Sequence, residues 1–569
     1  SKLAPSLLDD PILLSAQGKL AMRNQDYAEA RKRLQRAAEL KPDQQELLTE
    51  LAASQIASGD ETSAIDSLEQ AAILDLTGEF PADLLLIQSH LKAKRYDLAL
   101  KAIDRLERKK PQSPVPSNLR GAVAAAKGDQ TQARAHFGRA LKLQPGYLPA
   151  ANNLAQLDVQ AKDFKSARQR FEEVIQHDPQ SVGAWLSLAR LAAVQQDDKA
   201  CLANLEKAKK IAPDSVITRE TIIKYWLNKR DFGRVITESR DAIAATGNNV
   251  FYNVLGIAYL QQGNKADALS VYAKWVQAAP TSPVAHLRLA LAQESSGKRA
   301  EALSNLAKAL KLAPDYPDAV LATAGLLASN GEIEQALQLA RDFQKRHAND
   351  YVGYAAEALV QAQARRPAEA AKLFERAASL SGQGRFLVQA KAAYVAAGQA
   401  QTAEKILSDW LTKHPKDVPV RHALSQLQLD AGRSKEASAH YEWLIKANPN
   451  DLIALNNLAL AYGNQGDSRA LSMAERALKL QPENAAVLDT LGWLLVRSGQ
   501  LQRGTQFLRQ AAVAKPDAME IRWHLASALA KSGDKNNAIA ELDRLLASRI
   551  PFAQAAEART LLQSLQTSR

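Results

Sequence analysis

The chain has 569 residues, 46 % of them apolar, and carries 73 Lys and Arg against 61 Asp and Glu, a net charge of +12. A single compact core stops growing at roughly 250–300 residues, so this length calls for several domains or a repeat array. The charge excess is mild over such a length and no basic run resembles a nucleic-acid arm, which argues against nucleic acid and leaves only a weak preference for acidic partners.

Ala, Leu, Gln, Lys and Glu are abundant and aromatics make up only 5 %, a composition that favours helix because these side chains lose little freedom there. Cys201 is the one cysteine, so no disulfide can form within the chain, and the count leaves the compartment open. No run of about 18 apolar residues could span a membrane, and no signal-peptide pattern is present. The chain starts at Ser1, and an N-terminal anchor or further repeats are expected to precede it in the full protein.

Residues 1–10 read as a short N-terminal segment without a capping pattern. From about residue 11 to about residue 549 the sequence repeats with a period near 34. Pro145, Pro179 and Pro213 are 34 residues apart, as are Pro280 and Pro314, Pro415 and Pro449, and Pro482 and Pro516. The run Ala133 to Pro145 returns in variant form from Ala302 to Pro314 and from Ala470 to Pro482. Leu255-Gly256-Ile-Ala-Tyr259 and Leu458-Ala459-Leu-Ala-Tyr462 mark first helices. Small residues such as Ala30, Ala133, Ala302 and Ala538 mark second helices, where close contact tolerates almost no side chain. The Pro ends each second helix because it cannot donate to the helical ladder.

This pattern resembles the tetratricopeptide repeat, a helix–turn–helix of 34 residues. The resemblance implies an all-α, right-handed superhelical solenoid of about 16 repeats. Repeats 1–11 are assigned to residues 11–380 and repeats 12–16 to residues 381–549. Leu76, Gly247, Ala348 and Gly382 stand where Pro is expected, and Val235 and Gly504 replace the small Ala. One residue is missing between Tyr462 and Ala470, which predicts a tighter turn. The stretch from Leu380 to Phe386 has two Gly and no Pro and is a candidate hinge. Residues 550–569 read as a capping helix, with Phe552, Ala556, Leu561, Leu562 and Leu565 forming its apolar side.

Nothing in the sequence looks catalytic, and no metal site or cofactor is expected. None of the nine His form a His-x3–5-His pair, and no Cys partner exists for zinc. Cys201 takes a small-residue slot and reads as a buried thiol. The Trp residues divide. Trp185 and Trp226 lie on inward faces of first helices, Trp275 and Trp410 at packing positions of second helices, and Trp443 fits neither class.

Trp493 and Trp523, with Asp489 nearby, fall on the first-helix face that lines the concave groove of tetratricopeptide repeats. They read either as partner anchors or as packing on each other or under the cap. Asn152 and Asn153, Asn253, and Asn456 and Asn457 lie mid-helix. A groove-facing amide both donates and accepts, so it suits an extended peptide. The other reading is that each satisfies a neighbouring turn. Arg190, Glu220, Lys224 and Arg385 are charged groove positions that read as solvated faces.

The C-terminal third carries Asn456-Asn-Leu-Ala-Leu-Ala-Tyr462, Leu488-Asp-Thr-Leu-Gly-Trp-Leu-Leu-Val496 and Ile521-Arg-Trp-His-Leu-Ala526. It resembles the tetratricopeptide-repeat lipoproteins of bacterial exosortase (PEP-CTERM) systems, which accompany exopolysaccharide export. The resemblance implies a periplasmic, membrane-tethered, non-enzymatic scaffold for other proteins or extended peptides, with polysaccharide as a second ligand class. Two alternatives stand beside it. One is a cytosolic peptide-binding adaptor or co-chaperone. The other is the regulatory superhelix of an enzyme whose catalytic domain lies outside this sequence.

Overall fold

The computed structural model describes residues 9–23, 26–74, 80–548 and 552–567. Among the described residues the chain is helical throughout, with 33 helices numbered α1 to α33 in chain order and no strand. Sixteen pairs of helices, odd-numbered first and even-numbered second, are followed by the single helix α33.

The pair α7 (Pro114–Lys127) and α8 (Gln130–Leu143) shows why these residues fold this way. The Ser113 hydroxyl caps the start of α7 by accepting from the Val115 N–H, and Pro114 occupies the first turn, where a missing N–H costs nothing. Gly128 ends α7 at φ 85°, a left-handed conformation that Gly adopts without strain. The Asp129 carboxylate then accepts from the Gln132 N–H and starts α8. The pair closes around Gly121, where an added Cβ would collide with the Phe137 ring, and around Ala133, which is fully buried.

A second device recurs between pairs. The carbonyl of the residue in the Pro position sits in a turn, outside any helical ladder, and needs a donor. A side chain six residues further on, early in the next first helix, supplies it. Trp185 Nε1 donates to the Pro179 carbonyl at 3.1 Å, Arg219 Nε to Pro213 at 2.9 Å, and Arg522 Nε to Pro516 at 2.6 Å. Arg421 and Tyr354 do the same for Pro415 and Ala348, and His286 Nε2 lies 3.0 Å from the Pro280 carbonyl. Chemically different side chains serve one role, which hides it from a search for a conserved letter.

The chain divides into two compact units, residues 1–264 and 265–569. Within each unit, successive odd-numbered helices pack on one another and form one face, while even-numbered helices pack chiefly against odd ones. In the first unit, α1 (Pro11–Arg23) leaves Ile12 and Leu20 exposed at 79 % and 59 %, so its outer side is uncovered by any described residue. In the second unit, α33 (Ala555–Thr567) covers the last pair, with Ala558, Leu561 and Leu565 packing near Leu542 and Leu545. The C-terminal cap is therefore present. Pro551 and residues 549–550 lie outside the described residues, as does Leu76.

Two sequence expectations change. The missing residue after Tyr462 does not tighten the turn. Instead α27 (Leu452–Gln465) runs to Gly466 at φ 71°, and α28 (Ala470–Leu480) loses its first turn. Shortening one helix end costs less than straining a turn that needs its full length. The Gly-containing junction after Leu380 is also not loose. Gly382 caps its helix in the left-handed region, and a Cβ at Gly384 would collide with Asp417 and Val420. These Gly are there for turn geometry and close approach, and Phe386 packs its ring 5.4 Å from Tyr351. Cys201 is 2 % exposed and burial raises its thiol pKa, which disfavours the reactive thiolate. Arg421 lies 4.1 Å from the Trp443 ring centroid, which gives that indole a structural role.

Candidate functional site

The amide pair of the first unit is occupied by the fold itself. Asn152 and Asn153 sit on α9 (Leu148–Gln160). Asn153 Nδ2 donates to Asn118 Oδ1 on α7 at 2.9 Å, and Asn152 Oδ1 accepts from Ser187 Oγ on α11 (Val182–Val194) at 2.9 Å. Each bond joins residues 35 apart, linking adjacent first helices. Ser15 and Glu50 are joined at the same spacing, at 2.7 Å. Asn152 and Asn153 thus stitch repeats together, a role that neither sequence reading, groove-facing amide or neighbouring turn, had named. Asn152 Nδ2 and Asn153 Oδ1 have no partner among the described residues, so each amide keeps bonding capacity beyond its stitch. Arg190 likewise turns inward to Ser187, at 2.9 Å. Asn253, on α15 (Val250–Gln261), has its Oδ1 buried without a partner among the described residues and joins no cluster with the other candidates.

In the second unit the odd-helix face opens into a cavity of about 780 Å³. Its walls come from α27, α29 (Ala485–Arg497) and α31 (Met519–Lys531), and its end is closed by Phe552 and Ala553 ahead of the cap. Asn456 and Leu460 line it from α27, Ala486, Asp489, Thr490 and Trp493 from α29, and Met519, Glu520, Ile521 and His524 from α31. Lys515 and Asp517 reach it from the turn before α31.

At the centre, His524 Nδ1 lies 2.9 and 3.0 Å from the two Asp489 oxygens. This pair again spans 35 residues and stitches α31 to α29. The His524 ring stacks on Trp493 with centroids 4.4 Å apart and planes at 15°. Lys531 Nζ lies 5.3 Å from the same indole centroid. The rest of the Trp493 side chain packs against the cluster of Leu488, Val496 and Leu508. Asn457 turns away from the cavity, donating to Gln426 Oε1 at 2.8 Å and to the Tyr441 hydroxyl at 3.1 Å. Asn456 remains at the wall, its Oδ1 buried and unpartnered among the described residues.

The structure therefore brings Trp493, Asp489 and Asn456 together. It does not bring Trp523 with them. Trp523 packs around Ala526, Leu542 and Ala558 with Phe552 and Leu561 of the cap region, and is not part of the cavity wall. A solenoid end must bury its last apolar face, and Trp523 serves that need. Sequence reasoning missed His524, Glu520 and Asp517. The signal for His524 was its distance of 35 residues from Asp489, the spacing already present between Asn153 and Asn118. Among the described residues no group of three or more His, Cys, Asp or Glu could hold a metal ion, and no helix is long and apolar enough to cross a membrane.

Paired helices of this length, closed by small residues and stacked first helix on first helix, define a tetratricopeptide-repeat protein. Two family profiles, both described as tetratricopeptide repeat, match the chain at residues 15–83, 84–147, 240–283 and 490–557, and at residues 158–217, 294–359 and 394–461. Together they cover most of its length, and the chain belongs to that family. It is 28 % identical over 131 residues to a TPR repeat-containing protein of Pseudomonas aeruginosa, a match covering 22 % of each chain. It is 29 % identical over 137 residues to cellulose synthase operon protein C of Pseudomonas fluorescens, covering 24 % of this chain and 10 % of that one. A human protein O-mannosyl-transferase matches at 26 % identity over 213 residues, 37 % of this chain and 20 % of its own length. The matched stretches thus span less than a quarter of these relatives. Among solved structures, the Naa15/Naa10 complex bound to HypK-THB aligns over 98 % of this chain and 99 % of the other, at 14 % identity and a TM-score of 0.38.

Proposed function

We propose that the chain is a non-enzymatic scaffold that holds a partner protein during bacterial exopolysaccharide assembly or export, working in the periplasm and tethered to a membrane through an anchor outside this sequence. The observation that carries the binding reading is the cavity on α27, α29 and α31. It is large enough for several side chains of a partner, is walled by three packed helices, and sets apolar groups such as Leu460, Met519 and Ile521 beside a few hydrogen-bonding ones, the composition of a binding pocket. The exopolysaccharide reading is supported by the run from Asn456 to Ala526, which resembles the lipoproteins of exosortase systems, and by the stretch similar to cellulose synthase operon protein C.

The test is a pulldown from the periplasmic fraction of the native host with the whole chain and with Ala486→Trp. Ala486 is exposed and lines the cavity, so Trp there fills the cavity without entering the core. The expected outcome is a partner encoded with polysaccharide-assembly genes, captured by the native chain and lost from the variant at unchanged melting temperature. Equal capture by both would remove the cavity from the function. Recovery of the protein only in the cytosol would remove the periplasmic role.

A further inference from the structure

Resting on the reading of this cavity as the partner site, we infer that it takes a cationic side chain, arginine foremost, from an extended segment of the partner. The chain as a whole carries +12, yet the wall holds Asp489, Asp517 and Glu520 against a single ammonium, Lys515. Asp517 and Glu520 are exposed and have no partner among the described residues. The Asp489 side chain is only 15 % exposed, and its two oxygens share one imidazole nitrogen, so both retain accepting capacity. A wall rich in acceptors selects a guest rich in donors. The guanidinium supplies five N–H groups in a planar fork that matches carboxylate geometry.

The indole argues against a sugar guest. The His524 ring is stacked on Trp493, the Lys531 ammonium lies over the ring, and the remainder packs into the Leu488 cluster. A sugar ring needs an open aromatic face to stack on, and this one is already covered by the chain's own groups. The Lys531 ammonium already takes the cation–π position, so the guest's charge is met by the carboxylates and not by the indole.

The experiment pans a phage library of random peptides, each about a dozen residues, on the immobilised whole chain, on Asp517→Asn/Glu520→Gln, and on Ala486→Trp. The peptide length follows from extended chain rising about 3.3 Å per residue, enough to cross three repeats. The native chain should enrich peptides with Arg at one register, and the neutralised variant should lose that enrichment. An enriched peptide, made with a fluorescent label, should bind the neutralised variant about tenfold more weakly by anisotropy, the loss expected for a charge-assisted contact. Enrichment that Ala486→Trp abolishes but that shows no cation preference would overturn the cationic guest and leave the cavity as the partner site. Enrichment indifferent to Ala486→Trp would overturn both. Binding of a soluble β-glucan oligosaccharide that Ala486→Trp abolishes, without any peptide enrichment, would also overturn the inference.

Discussion

The same four letters, Asn-Asn-Leu-Ala, open the middle of α9 in the first unit and of α27 in the second; the second Asn of each reaches back one repeat, and the first Asn of each meets a different fate. In α9 one amide donates back to Asn118 and the other accepts from Ser187, so the pair ties three repeats together. In α27 one amide turns to Gln426 and Tyr441, while Asn456 keeps an unpartnered oxygen at the cavity wall. Among the described residues Asn456 does not make the forward tie that Asn152 makes, and a tie at that spacing is next met between Asp489 and His524, one repeat later. A local motif therefore does not assign its own role. What stands one repeat before and one repeat after decides which bonds an amide makes.

The largest effect comes from the position both regions share. Ala167 in α10 (Phe164–His177) and Ala470 in α28 are the small residues that let paired helices close, at 0 % and 6 % exposure. Ala167→Trp should cost about 3 kcal/mol or more, because neither helix can move without disturbing its neighbours. Ala470→Trp should cost less, since Ala470 is the first residue of a shortened helix whose end can splay. Denaturant melts of the two variants check this, and equal losses would show that the deletion after Tyr462 leaves no slack.

A smaller effect tests the amides directly. Asn153→Ala should destabilise by about 1–2 kcal/mol, because it leaves a part-buried Asn118 oxygen without its donor. Asn456→Ala removes an acceptor that lacks a donor and one long bond, 3.4 Å from Nδ2 to Asn457 Oδ1, so thermal and urea melts should show little loss. If both substitutions cost the same, the division between spent and free amides fails.

The smallest effect is acid sensitivity, expected in both regions. His90 in α5 (Pro81–Lys92) has its pKa lowered by burial, and His440 in α26 (Ser434–Ala447) by burial and then by Arg421. The unfolded chain takes up these protons before the folded one. Stability is thus full above the ordinary histidine range, near pH 6.5, and falls as pH drops below it. Melting temperature should decline between about pH 7.5 and pH 5, and His440→Gln should reduce the slope. A slope unchanged in both His440→Gln and His90→Gln would place the acid sensitivity elsewhere.

Much of the fold was legible because it rests on what one residue can or cannot do by itself. An Ala or Gly admits a close helix, a Pro ends one, and the apolar run of Leu561, Leu562 and Leu565 has to cover something. The site was legible only in part. Asp489, Trp493 and Asn456 were found because mid-helix positions of a repeat share a face. Trp523 stayed between two readings because its face is shared by the groove and the cap, and only the approach of α33 decides for the cap. The donors to turn carbonyls, Trp185, Arg219, Tyr354 and Arg522 among them, were missed because their shared feature is a donor hydrogen and not a letter.

The sequence by itself determined the class of fold and the period, because small-residue and Pro constraints act within about 34 residues and are written in residue type. It also determined which residues share the odd-helix face. The tertiary structure decided which of them remain free for a partner. That outcome depends on hydrogen bonds across 35 residues, whose partners are chosen by the stacking of neighbouring helices and not by the motif that carries the donor.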